Sequence, residues 1–314
     1  MVYTSHFKLN PIAPFNFDLS ARTFTGGDPQ ISRYEDGKFW QVIRVNNKLI
    51  FVLIESTGTV DEPKFSITLK SNEGITEADI NSGKRIINSI FNLDFNLTKF
   101  YDYMKSDPVM FKLTRKLRGL KSRTTATVFE ELASSIIEQQ ISLIASQSIE
   151  RQMIKDYGDK LRFDGEVYYA FPSPETLSKL TKEQLRESGL SLRKAEYIID
   201  ISRLITSGKL DLESCREIKD VNKIIVKLNQ LRGVGDWTAH LTALRSMHRH
   251  RAFPADDLGL RWSISHFYCN DAKISADDAR KIAAQWGKWR GLAGFYLIVG
   301  VFRDVKLDYS EKNE

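Results

Sequence analysis

Apolar and polar positions along this chain change period near residue 100. Before it, Lys38–Val45 and Lys48–Glu55 flank Asn46-Asn47, two residues that tolerate the positive φ of a tight hairpin turn. Pro63–Lys70 alternates, with Phe65, Ile67 and Leu69 facing one way and Lys64, Ser66 and Thr68 the other. Ile80, Ile86, Ile87 and Ile90 then fit one face of a helix. Beyond residue 100 the strand pattern is expected to vanish. Val128 to Ile141 repeats its apolar residues at i, i+3 and i+4 and predicts an amphipathic helix. A second helix is expected to run to about Tyr157. Phe171-Pro-Ser-Pro breaks the chain, and Ser173 can cap the next helix. Ser191 caps Leu192–Thr206, which Gly208 ends. Val221–Asn229, Asp236–Met247, Ala276–Trp286 and Trp289–Val301 complete the set. The pattern describes a small antiparallel sheet with a helix, followed by a bundle of short helices.

Composition sharpens this picture. The chain has 314 residues, 42% hydrophobic and 27% charged, enough to bury a substantial core. Two cysteines, Cys215 and Cys269, exclude a disulfide framework and any four-cysteine zinc or iron–sulfur site, and fit a reducing compartment. The longest apolar run, Gly291 to Phe302, is too short for a membrane span of about 20 residues. The N-terminus MVYTSHFKLNP lacks the basic-then-apolar order of a signal peptide. No membrane partner is expected, and the expected location is intracellular: cytoplasm or nucleoid in a prokaryote, nucleus in a eukaryote.

The net charge of +6 is unevenly spread. Residues 1–100 carry 11 bases and 11 acids; the remainder carries 35 and 29. Tyr101 to Thr125 holds seven bases, from Lys105 through Lys112 to Lys121 and Arg123, and two acids. This is either a solvated helix face or a phosphate-facing stripe.

The most informative stretch is Leu231-Arg-Gly-Val-Gly-Asp-Trp-Thr-Ala-His240. Two glycines one residue apart allow a very tight turn between helices and leave backbone N–H groups uncovered. Asp236 is placed to cap the helix that begins there. Gly233, Gly235 and Thr238 can point N–H groups at one anion, helped by the positive helix end, and so grip a phosphate without reading a base. Twenty residues after Trp237 comes Phe253-Pro-Ala-Asp-Asp-Leu-Gly-Leu260. Asp256 reads as an ordinary N-cap. Asp257 stands among Phe253, Leu258 and Leu260, where an idle carboxylate would be costly.

These residues resemble the helix-hairpin-helix DNA glycosylases, and within them the 3-methyladenine DNA glycosylase II group. LRGVGDWTA followed by PADDLGL carries the resemblance. Ile136-Ile-Glu-Gln-Gln-Ile-Ser142, Gly189-Leu-Ser-Leu-Arg-Lys-Ala195 and Trp286-Gly-Lys-Trp-Arg-Gly-Leu-Ala293 extend it over about residues 128–300. The resemblance implies a mainly α fold with an N-terminal α+β domain. The sheet and its helix occupy residues 1–95, and a helical glycosylase region spans 96–314. Within that region, 127–245 form the helix-hairpin-helix subdomain, and 96–126 pack with 246–314 in a second one.

It further implies that Asp257 is catalytic, stabilising a sugar with oxocarbenium character and orienting water. Trp237 occupies the position where bifunctional members carry a Schiff-base lysine, so hydrolysis alone is expected. Trp237 and Trp289 match base-pocket aromatics, whose two faces suit a cationic base. Leu241 departs from the tyrosine of the bacterial enzyme. Gln140 matches the wedge that fills the gap left by the extruded base, with Gln139 before it. The hairpin carbonyls of Asn229, Leu231 and Val234 match a family site for a monovalent cation; no other cofactor is implied. The expected partner is double-stranded DNA with a damaged base, met by a single copy of the chain. An 8-oxoguanine glycosylase/lyase and a non-catalytic DNA-binding protein are the alternatives. His248-Arg-His250 reads as a basic surface turn rather than a metal site.

Overall fold

The computed structural model describes residues 1–23 and 27–307. Five strands form one antiparallel sheet: β1 (Tyr3–Leu9), β2 (Ser32–Glu35), β3 (Lys38–Val45), β4 (Lys48–Ser56) and β5 (Phe65–Ser71), in the spatial order β1-β5-β4-β3-β2. Asn46 and Asn47 turn β3 into β4 with φ of 47° and 65°, so that Val45 pairs with Lys48. The alternation in β5 buries Phe65, Ile67 and Leu69 against the helix Glu77–Phe91. Thr76 and Asp79 start that helix by bonding reciprocally to each other's backbone.

One expectation fails here. The strand pattern does not vanish after residue 100: β6 (Lys160–Phe163) and β7 (Glu166–Tyr169) form a hairpin around Asp164 and Gly165, both at positive φ. It packs on the main sheet, with Phe51 5.1 Å from Phe163 and 4.6 Å from Tyr168 between ring centroids. Two four-residue strands are too short for a period-2 pattern to stand out between helices.

Helical residues build two further cores. The first runs from Val128 to Ala252 and includes Val221–Asn229 and Asp236–Met247; the second joins 97–120 to 253–299. The helix begun at Ala276 ends at Ala283 rather than Trp286, and a 3₁₀ segment with Gly287 at φ 53° leads into Arg290–Phe302. Among the described residues, no helix is long and apolar enough to cross a membrane.

Part of the basic stripe is drawn into the fold, while Lys105, Arg115 and Lys116 stay exposed. Lys121 is buried, and its ammonium donates to the carbonyls of Ile12, Asn92 and Leu93; burial lowers its pKa to about 8. Arg118 pairs with Asp61, and Arg123 lies 4.9 Å above the Phe39 ring. These bases join the N-terminal domain to the bundle. Nor is His248-Arg-His250 a basic turn. Burial lowers the pKa of His248 to about 4 and of His250 to about 3, so both imidazoles are neutral. His248 Nε2 meets the Ser89 carbonyl at 2.7 Å, and the His250 ring meets Phe95 edge-on and Trp289 at a tilt.

Candidate functional site

The hairpin joins Val221–Asn229 to Asp236–Met247 through a turn that only glycine fits at one point. Gly233 has φ +86°, and a Cβ there would lie 2.2 Å from the Tyr197 ring. Gly235 is the N-cap of the second helix and faces open space. The first-turn N–H groups of that helix have no intrahelical partner, which leaves an anion-binding end. Asp236 does not cap it: it is the first helical residue, and its carboxylate accepts from the Asn229 amide instead.

A cleft of about 1160 Å³ opens beside the hairpin, lined by the sheet domain and both helical cores. Asp257, Trp237, Leu241, Thr238, Gly235, Gln139 and Gln140 all border it. Asp257, not Asp256, is the N-cap of the helix Leu258–Tyr268. Its Oδ1 accepts the Leu260 amide at 2.8 Å, and its Oδ2 accepts Trp237 Nε1–H at 3.0 Å. The acid is therefore held at both oxygens beside a positive helix end. Asp256 is exposed and pairs with Arg280. Of the apolar neighbours expected for Asp257, Phe253 and Leu260 are buried, whereas Leu258 is 75% exposed.

Two residues differ from their sequence-based roles. Trp289 does not border the cleft. It is buried in the second core, with ring centroids 5.8 Å from Phe100 and 6.0 Å from Phe95. A break in the helix at Gly287 precedes it. Gln139 points back rather than outward, donating from Nε2 to the Gly233 carbonyl and to Thr238 Oγ1, each at 2.9 Å. Thr238 is buried, so its hydroxyl serves that bond and only its backbone N–H is left for an anion. Gln140, by contrast, is exposed and left-handed at φ 57°, because the helix from Val128 stops at Glu138. Lys194 fixes this turn by donating to the carbonyls of Ile137 and Gln139.

The hairpin carbonyls of Asn229, Leu231 and Val234 are neutral donors, a set suited to a singly charged ion. The Leu231 carbonyl already accepts the Val234 amide at 3.1 Å. Among the described residues, no group of three or more His, Cys, Asp or Glu could hold a metal.

Sequence reasoning missed a second set of residues on the cleft that Asp257 borders. Glu130, Glu131, Glu138 and Glu150 line the cleft with Arg123 and Arg245. Burial raises the pKa of Glu130 to about 7 and of Glu131 to about 8, and raises that of Glu150 as well. Arg245 Nη1 donates to both carboxylate oxygens of Glu138, at 2.8 and 3.1 Å, and lies 3.8 Å from Glu131. Burial works against its charge, but these two acids outweigh it and hold the guanidinium ionised. Acids at positions 130, 131 and 138 of an amphipathic helix were the available signal; their convergence with Glu150 and Arg245 depends on packing.

Comparison with known proteins places this geometry. Residues 133–288 match the HhH-GPD superfamily base excision DNA repair protein family. A DNA-3-methyladenine glycosylase of Bacillus subtilis (strain 168) is 35% identical over 215 residues, which covers 68% of this chain and 70% of that protein. The structure of a 3-methyladenine DNA-glycosylase from Archaeoglobus fulgidus superposes with a TM-score of 0.82 at 25% identity, over 96% of this chain and all of that one. An 8-oxoguanine glycosylase/lyase of Clostridium acetobutylicum, in complex with dsDNA, gives a TM-score of 0.74 at 20% identity over 97% and 98% of the chains, a likeness of fold. With a sheet domain, a tight hairpin and a helix-capping aspartate at one cleft, the chain belongs to the HhH-GPD superfamily of base excision DNA repair proteins.

Proposed function

We propose that the protein is a monofunctional DNA N-glycosylase that hydrolyses alkylated bases, mainly N-methylated purines, from duplex DNA. The observation that carries this reading is the Asp257 carboxylate, fixed at both oxygens on the wall of a cleft that can receive an extruded base. As the base–sugar bond breaks, positive charge grows on the sugar, and a carboxylate already oriented there stabilises it without reorganising. The same oxygens can orient the attacking water.

The described residues that line the cleft include no lysine, and Trp237 stands beside Asp257 where a Schiff-base amine would be needed. This supports hydrolysis rather than lyase chemistry. The amides at Gly233, Gly235 and Thr238 would hold a backbone phosphate, and Gln140 would enter the stack. Asn229, Leu231 and Val234 would hold a monovalent cation at the hairpin; no step of the reaction runs through it. On this reading a single copy of the chain acts on the duplex.

Duplex DNA carrying methylated purines should release free base with the wild-type protein. Asp257→Asn should slow release by about 10²–10³-fold or more while DNA binding stays within a few fold. Undiminished release by that variant would remove Asp257 from the mechanism.

A further inference from the structure

Cationic bases need a wall that attracts positive charge. Of the two aromatic faces expected to supply it, Trp289 is in the core, and Leu241 adds none. Carboxylates take their place. Glu138 is neutralised by Arg245, and Glu131 meets that guanidinium only at 3.8 Å. Glu130 accepts the Ala126 amide, and Glu150 accepts the Ser134 hydroxyl. Arg123 lies over the Phe39 ring and reaches these two acids only through space. The wall thus holds more carboxyls than guanidiniums, an imbalance that burial makes costly unless a proton or another cation is present. The Ser122 hydroxyl oxygen on the same cleft is buried and has no hydrogen-bond partner among the described residues.

We propose that Glu130, Glu131 and Glu150 are specificity-determining residues that read the extruded base by its positive charge, favouring N-alkylated purines over neutral lesions of similar size. This deepens the glycosylase reading and rests on it. Arg245 and Arg123 do not offset the burial, so Glu130 and Glu131 hold protons when no base is bound, as their raised pKa values indicate; a cationic base takes over that role. When the bond breaks, the positive charge moves from the base to the sugar beside Asp257. That charge on the sugar is met by Asp257; the three acids, which hold the base rather than the sugar, bind it about equally in the ground and transition states and so act on KM rather than kcat.

The test compares duplexes carrying 7-methylguanine, which is cationic, with duplexes carrying hypoxanthine, which is neutral and is measured as substrate or as competitor. Glu131→Gln, and separately the Glu130→Gln/Glu150→Gln pair, should raise KM for 7-methylguanine by about tenfold and leave kcat within about threefold. Binding of the hypoxanthine duplex should not change. Tm should equal or exceed that of the wild type, because a buried acid whose burial outweighs its partners has been removed. Equal effects on both lesions, or unchanged KM for 7-methylguanine, would overturn the inference and leave the glycosylase reading standing. Absence of methylated-base release by the wild type would overturn both. If Glu131→Gln does not fold, the Glu130/Glu150 pair decides the matter.

Discussion

Replacing Asp257 by Asn should cost stability as well as activity, and by an amount that the geometry sets. The aspartate accepts two hydrogen bonds, from the Leu260 amide at 2.8 Å and from Trp237 Nε1–H at 3.0 Å. Asparagine offers one carbonyl oxygen and one NH₂. If the oxygen keeps the cap, the NH₂ meets the indole N–H donor to donor; if the amide flips, the cap is lost. An unsatisfied buried donor costs about 1–3 kcal/mol. Trp237 is only half-buried, so water recovers part of that, leaving about 1–2 kcal/mol and a Tm lower by a few degrees. Trp237→Phe removes the donor and keeps most of the ring, and should also destabilise, because Asp257 Oδ2 then lacks its partner. In the Asp257→Asn background the same change relieves the mismatch. Urea unfolding of the four proteins, with m unchanged, should give a coupling energy of about 1–2 kcal/mol. Additivity to within about 0.5 kcal/mol would show that the indole does not hold the carboxylate, and the account of a preorganised acid would fail.

Other consequences are equally open to measurement. Gly233→Ala should lower stability by more than about 1 kcal/mol through its positive φ and the Tyr197 ring, whereas Gly235→Ala should leave Tm unchanged and weaken DNA binding in a titration at fixed salt. Gln139→Ala should lower stability by about 1–2 kcal/mol in denaturant unfolding, because it frees the Gly233 carbonyl and the Thr238 hydroxyl. Trp289→Ala should cost about 3–5 kcal/mol and lower activity on every lesion equally, as a core truncation does; a change confined to one lesion would return this residue to the pocket. Glu131 holds its proton in the folded state up to about pH 8 but only to about 4.5 when unfolded. Folding therefore takes up a proton between these values, and stability falls as pH rises through them. Glu131→Gln should remove that slope, gaining about 1–3 kcal/mol on the wild type between pH 5 and 8 in paired unfolding curves.

The hairpin was legible because its signals are local. The glycines, the cap positions and the apolar period placed Val221–Asn229 and Asp236–Met247 where the structure has them. The position of Asp257 was legible for the same reason, but that Asp257 rather than Asp256 is the cap was not. That choice depends on which residue reaches the first-turn amides once the chain has turned at Pro254. The Trp237–Asp257 bond crosses 20 residues and two helices, and no periodicity encodes it. The carboxylate wall draws on two consecutive helices and on Arg245 from a third, so only packing brings it together. Trp289 and Gln139 were misplaced because a residue type at a familiar spacing does not state the direction of its side chain. A break at Gly287 precedes the first, and the end of the helix at Glu138 precedes the second.

The lashing of the wedge turn to the hairpin determines which partner deforms on binding. Gln139 ties the turn to Gly233 and Thr238, and Lys194 closes its other side, so Gln140 projects from a turn already held in place. Such a protein has little ordering entropy left to lose when it meets DNA. The bending and unstacking cost then falls on the duplex, and it is smallest where stacking or pairing is already weakened. If Gln140 enters the stack as proposed, the rigid turn would bias the search toward mechanically soft sites in the helix before any base enters the cleft. The charge on the cleft wall then acts as a second and independent filter, so a soft but neutral site would be opened more often than it is cut.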